Sequence, residues 1–339
     1  MLACRSALAL LSLLGLLMIA AEPLSANDEK EPVFHRIGTG GVNGTYYPIG
    51  ALIANAISQP PGSRACGDGG SCGVPGLIAV ARSSSGSIAN ALAIQRGEID
   101  SGFMQADIAW DAHRGAGSFK ERAPLSKLRF LATLYHEHLQ LVIRKDSEIT
   151  EIADLVGQRV SLDEPGSGTL VIAKRLLNAA GMTEAQLIAE YVKMGPASSL
   201  MRRKELDAFF IVAGVPTHGV ADLIEPGTAT LLDLSSVNMA GFSDEDPRIQ
   251  VTTIPAGTYG LEKPVKTVGV AAQWIVSEDV SAEIVDGICR ALWNDSTRAM
   301  LDKGHKAGPQ IQLTNAIKGA SVPLHKGTES CYRDLGVLN

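Results

Sequence analysis

Ile37-Gly-Thr-Gly-Gly-Val-Asn-Gly-Thr-Tyr-Tyr-Pro-Ile-Gly50 wedges a glycine-rich turn and two adjacent tyrosines between a short apolar run and a helical pattern. Residues 33–37 read as a buried strand. Gly38, Gly40, Gly41 and Gly44 predict a backbone that turns back with positive φ and approaches another molecule closely. From Tyr47 onward, Ile49, Leu52, Ile53, Ala56 and Ile57 recur at helical spacing, so the loop opens onto a helix N-terminus. Unpaired amides and the positive end of the helix dipole favour a carboxylate or phosphate there. In the plainer reading the loop is a tight connection whose tyrosines only pack.

Two nucleotide motifs fail on spacing. A dinucleotide fingerprint needs a third glycine where Asn43 stands, and no acidic residue follows about twenty positions on. A phosphate-binding P-loop needs Gly-Lys-Ser/Thr, and no lysine lies between Arg36 and Arg64.

Residues 1–26 read as a secretory leader, with Arg5, an apolar run over 7–21 and small residues at Ser25-Ala26. That predicts a periplasmic protein. The remaining three hundred or so residues suggest two domains. Net charge is −6, and the leader carries one Arg and one Glu, so the body keeps it; this argues against a nucleic-acid surface. Four cysteines follow the leader. Cys66 and Cys72 bracket a flexible Gly-Asp-Gly-Gly-Ser and pair; Cys289 and Cys331 then pair by elimination. No histidine neighbours Cys66 or Cys72, so a zinc site is not favoured.

Strand, polar loop and helix then recur. Residues 77–82 read as a strand leading into Ser83-Ser-Ser-Gly-Ser-Ile-Ala-Asn90, where Ser85 or Ser87 is the expected N-cap and Ser87 and Asn90 face one cleft. A further strand ends on Gln105-Ala-Asp107, polar residues where strand ends line a crevice. Three such units predict a parallel sheet. Residues 131–144 form an extended run longer than an ordinary strand, which suggests a crossing between domains. His136 and His138 share one face of it, but Glu137 points the other way, so a metal is not favoured.

A second α/β body begins near Ile152, with a strand over 160–162, the loop Glu164-Pro-Gly-Ser-Gly-Thr169 and an amphipathic helix. Ser167 lacks the G-x-S-x-G context of a hydrolase elbow. Residues 208–214 read as a buried strand whose small end, Ala213 and Gly214, leaves room for a ligand; residues 268–276 read as a second long strand returning beside 139–143. One amphipathic helix is expected from Ser281 to about Leu301, followed by a polar tail.

With 38–48, 84–90, 105–107 and 165–169 quoted, the mature chain resembles the extracytoplasmic receptors of the TAXI branch of TRAP transporters. The resemblance implies an α/β, two-lobed periplasmic-binding-protein (type II) fold with two hinge-crossing strands: lobe I at 31–136 with 272–339, and lobe II at 137–271. It implies capture of a small organic anion or amino acid, resembling glutamate or 2-oxoglutarate, for delivery to TRAP membrane permease subunits, with no cofactor, no metal and no catalysis. It implies that Gly41 and Tyr46 or Tyr47 meet the solute, that Ser85, Ser87 and Asn90 hold one end, and that Gln105 closes that side. Tyr135 and Glu137 would sit near the hinge, Ser167, Gly168 and Thr169 would grip the other end beside Gly214, and Asp107 or Glu137 would pair with an amine. The alternative is a secreted hydrolase or isomerase using Tyr46, His136 and Glu137.

Overall fold

A computed structural model describes residues 31–339; the leader expected at residues 1–26 lies outside the described residues. Strand and helix alternate through the first part: β1 (Val33–Gly38), α1 (Tyr46–Ile57), the short β2 (Ser58–Gln59) and β3 (Val74–Pro75), β4 (Leu77–Arg82), α2 (Ser87–Gln95), β5 (Ser101–Gln105) and α3 (Ala106–Arg114). β6 (Leu128–Arg144) follows, 17 residues long. The second part runs β7 (Arg159–Ser161), α4 (Gly168–Ala179), β8 (Ile188–Glu190), α5 (Met194–Arg202), β9 (Ala208–Gly214), α6 (His218–Ile224), β10 (Ala229–Leu231), α7 (Ala240–Glu245), β11 (Ile249–Ile254) and β12 (Val265–Ser277). α8 (Ala282–Leu292), α9 (Asp295–Gly304) and α10 (Lys326–Asp334) complete the chain.

Ten strands make one sheet in the order β4-β1-β5-β12-β6-β9-β7-β8, with β10 added to β6 and β11 to β12. β4, β1 and β5 are parallel, as alternating strand–helix units require. On the far side β9, β7 and β8 form a second parallel set. The two sets meet through β6 and β12, which pair antiparallel from Gly269↔His138 to Ser277↔Leu128. Beyond His138 the strands part: β6 continues between β9 and β10, while β12 runs on beside β11. β12 therefore returns beside 128–138 and not beside 139–143, because β10 takes that edge of β6.

Each half of the sheet is covered on both faces. In the first, Ile49, Ile53 and Ile57 of α1 pack with Phe103, Trp274 and Ile288 on one face. Ala91 and Ile94 of α2 pack with Ile108, Phe130 and Ile275 on the other. In the second, Ile172 and Leu176 of α4 cover Leu141, Val160 and Phe210, while Met194 and Met201 of α5 cover Val142, Phe209 and Ile211. Two α/β/α lobes joined by two long strands result.

The helix expected over 281–301 is two helices. Asn294 breaks it: its Oδ1 accepts from the Thr297 amide at 2.8 Å as the N-cap of α9, and its Nδ2 donates to the Cys72 carbonyl at 3.0 Å. The break thus holds the Cys66–Cys72 loop, whose disulfide forms, as does Cys289–Cys331 between α8 and α10. The tail is ordered as well, and Tyr332 of α10 donates to the Leu131 carbonyl of β6 at 2.9 Å. Replacing Cys66 and Cys72 by serine is expected to lower unfolding stability by about 2 kcal/mol, the chain-entropy value for so short a loop. Urea unfolding checks it, and an unmoved midpoint refutes it.

Candidate functional site

The N-termini of three helices open on one cavity between the lobes. Its lining includes the N-cap and first residue of α1 (Thr45, Tyr46), of α2 (Gly86, Ser87) and of α4 (Ser167, Gly168). The first-turn amides of a helix have no intrahelical acceptor. None of these three helices carries an acidic residue in its first turn, whereas α3, α8, α9 and α10 each do. The positive ends therefore face the cavity without a counter-charge from their own first turns.

Local sequence explains the arrangement. None of Gly38, Gly40, Gly41 and Gly44 adopts positive φ, contrary to the expectation for this loop. The demand is for space instead: a Cβ on Gly38 would lie 2.5 Å from Asn90 Oδ1. Neither Ser85 nor Ser87 caps α2. Gly86 is the N-cap at φ 110°, and Ser84 ties the loop down, donating to the Thr39 carbonyl at 2.8 Å and accepting from the Gly86 amide at 3.0 Å. Ser87 Oγ accepts from the Gln105 amide at 3.1 Å, linking helix to strand end. In α4, Ser167 is the N-cap, its Oγ accepting from Leu170 N at 3.1 Å, and Thr169 Oγ1 accepts from Val212 N at 3.0 Å. Each hydroxyl keeps its own proton to donate.

Gly41, Tyr46, Ser85, Ser87, Gln105, Glu137, Ser167, Gly168 and Thr169 thus line a cavity of about 60 Å³ together with Asp163. The other expected residues lie behind its wall. Asn90 is fully buried and donates to the Thr39 and Phe103 carbonyls at 2.8 and 2.7 Å, so it holds the loop. Asp107 lies in the first turn of α3 instead of ending a strand and is 1% exposed; Tyr135 is buried, its ring against Gly214. Tyr47 is half-buried on α1, outside the lining. His136 and His138 line a different cavity, which Glu137 also borders, and neither histidine lines the cavity that holds Tyr46, so Tyr46, His136 and Glu137 do not share one cavity.

Tyr46 packs edge-on against Phe103, with centroids 5.9 Å apart, and donates to Glu137 Oε2 at 2.7 Å. Burial, with Glu137 alongside, pushes the Tyr46 phenol well above its ordinary value. Burial pushes the Glu137 carboxyl up to about 8, against the pull of the Tyr46 hydrogen bond. Asp163, raised to about 6 by burial, is opposed by the Glu164 amide and the Ser167 and Thr169 hydroxyls. Asp163 went unnoticed in the sequence; its place directly after β7, where strand ends meet a crevice, was the available signal. Gln105 Oε1 is buried without a hydrogen-bond partner among the described residues. Among the described residues, no arginine or lysine lines this cavity.

The lobes touch around it. The Ala89 amide donates to the Gly166 carbonyl at 3.1 Å, Thr45 Oγ1 donates to the Gly214 carbonyl at 3.2 Å, and a Cβ on Gly168 would strike the Gln105 side-chain amide. The structure is closed.

Solved structures share this architecture. The periplasmic binding protein BugD superposes with a TM-score of 0.52 at 14% identity, covering 91% of this chain and 99% of its own. A protein of Bordetella bronchiseptica RB50 gives 0.50 at 14% identity, over 90% and 89%. The alkanesulfonate-binding protein SsuA from Xanthomonas axonopodis pv. citri, bound to MOPS, gives 0.48 at 14%, over 91% and 95%. The BugD superposition, with the sheet order above, makes the two-lobed periplasmic-binding-protein fold the fold of this chain. Residues 37–336 match one family along nearly the whole described length, and the chain belongs to the NMT1-like family.

Proposed function

We propose that the chain is an extracytoplasmic receptor that closes residues 31–136 with 272–339 against residues 137–271 around a small organic anion, and passes it to the membrane subunits of a TRAP-type permease. The observation that carries the reading is the convergence of three helix N-termini, each without a first-turn acid, on one interlobe cavity. The sequence resemblance supports the TRAP assignment, and the two disulfides fit an oxidising compartment.

Between a plain dicarboxylate and a glutamate-like acid, the lining favours the second. Amides and hydroxyls suit a carboxylate. Glu137, Asp163 and the unpartnered Gln105 oxygen suit an ammonium. Asp107, walled off, is not in reach of that amine. Mass spectrometry of the small molecule that co-purifies, followed by calorimetry with L-glutamate and 2-oxoglutarate, tests this: an amine-bearing acid is expected, and an uncharged solute overturns it. Replacing Ser167 and Thr169 by alanine is expected to weaken binding at least about tenfold, at roughly 1 kcal/mol per hydrogen bond. Unchanged affinity speaks against it. Reconstituted uptake is expected to follow an ion gradient; uptake that requires ATP hydrolysis removes the TRAP assignment.

A further inference from the structure

The inner cavity opens into a second chamber of about 250 Å³, and the two share Gly41, Gly44, Ser85, Asp163 and Ile211. Among the described residues, Lys193 is the only basic side chain lining either chamber. It stands immediately before α5, where Nζ lies 3.0 Å from Glu164 Oε1 and donates to the Ser84 carbonyl across the cleft at 3.5 Å. An ammonium has three donors, and only the Ser84 carbonyl accepts a hydrogen bond from it here. Val42, Met194, Pro196 and Ile211 give the chamber apolar walls. The inner cavity thus carries the carboxyls of Glu137 and Asp163, and the outer chamber adds Glu164 together with the one ammonium.

We infer that Lys193 is a specificity-determining residue that reads a second acidic group at the distal end of the solute, so that the receptor selects amino dicarboxylates over amino acids with a neutral side chain. The inference rests on the reading of the inner cavity given above. Apolar walls weaken competition from water for the Lys193 ammonium and sharpen the distinction between a carboxylate and a carboxamide. Glu164 occupies the ammonium in the closed structure and competes with the distal acid for it. A residue that only bridged the lobes would have no preference between the two solutes.

Calorimetry on the full-length protein with L-glutamate and L-glutamine tests this, in the unaltered chain and in Lys193→Met and Glu164→Gln. Lys193→Met is expected to lower L-glutamate affinity at least about tenfold and L-glutamine affinity less than about threefold. Glu164→Gln, which removes the competitor, is expected to raise L-glutamate affinity. Equal losses for both solutes in Lys193→Met, or weakening of both in Glu164→Gln, overturn the inference and leave Lys193 as a strut between the lobes. If the unaltered protein binds neither solute, the reading of the inner cavity fails and takes this inference with it.

Discussion

Glu137→Gln is expected to weaken L-glutamate binding at least about tenfold near pH 7 while raising the stability of the empty protein at pH 8. The two effects have one origin. Glu137 is 1% exposed, and burial holds its carboxyl at about 8, so the empty cavity keeps it largely protonated at neutral pH. An ammonium placed beside it draws out the charged form; a buried charge-assisted bond is worth about 3 kcal/mol, of which removing the proton at pH 7 costs about 1.4 kcal/mol, so a little over tenfold remains. Glutamine still accepts the Tyr46 hydroxyl but supplies no charge. Binding to the unaltered protein near pH 7 is therefore expected to release close to one proton, read from calorimetry in buffers of differing ionisation enthalpy. Full affinity in Glu137→Gln, or no proton release, removes Glu137 from the amine site.

Asp107→Asn is expected to stabilise the protein by about 4 kcal/mol at pH 8 and by almost nothing at pH 3. Asp107 lies in the first turn of α3 with Oδ1 buried and unpartnered among the described residues. Burial, then the neighbouring Asp246, raise its carboxyl to about 7 against the pull of the Ile108 amide. Below about pH 3 the group is neutral in folded and unfolded chains alike. As pH rises, the unfolded chain loses this proton near its ordinary value while the folded chain holds it to about 7, so stability falls across that window and levels off above it. Urea unfolding at the two pH values measures the difference. A variant equally stable or less stable at pH 8 would falsify the assignment of Asp107 as a buried charge burden.

The lobes were legible because their strands are short, apolar and ended by polar loops: 77–82 and 208–214 were bounded correctly as β4 and β9. Their loops also announced the cavity, since glycine, serine and threonine before a helix have few other uses. What could not be read was direction. Ser87 and Asn90 stand three apart on α2, yet Ser87 lines the cavity while Asn90 turns into the wall between Thr39 and Phe103. Asp107 looked like a strand-end ligand because nothing local showed that α3 begins at Ala106 and carries it inward. Lys193 is separated from Ser84 by 109 positions, and only lobe closure brings them together. The register of β12 was hidden for the same reason, since β10 decides which part of β6 remains free.

β12 lies between β5 and β6 although it is the last strand made. A chain growing from its N-terminus must hold a gap at the centre of its sheet until residue 277 arrives, with β5 and β6 sharing no bonded neighbour across it. Contacts of such long sequence separation slow folding, so the early segments spend that interval as separate apolar fragments. The two strands that join the lobes are thus also the rivets that make them one object, and the last rivet is set only when β12 arrives.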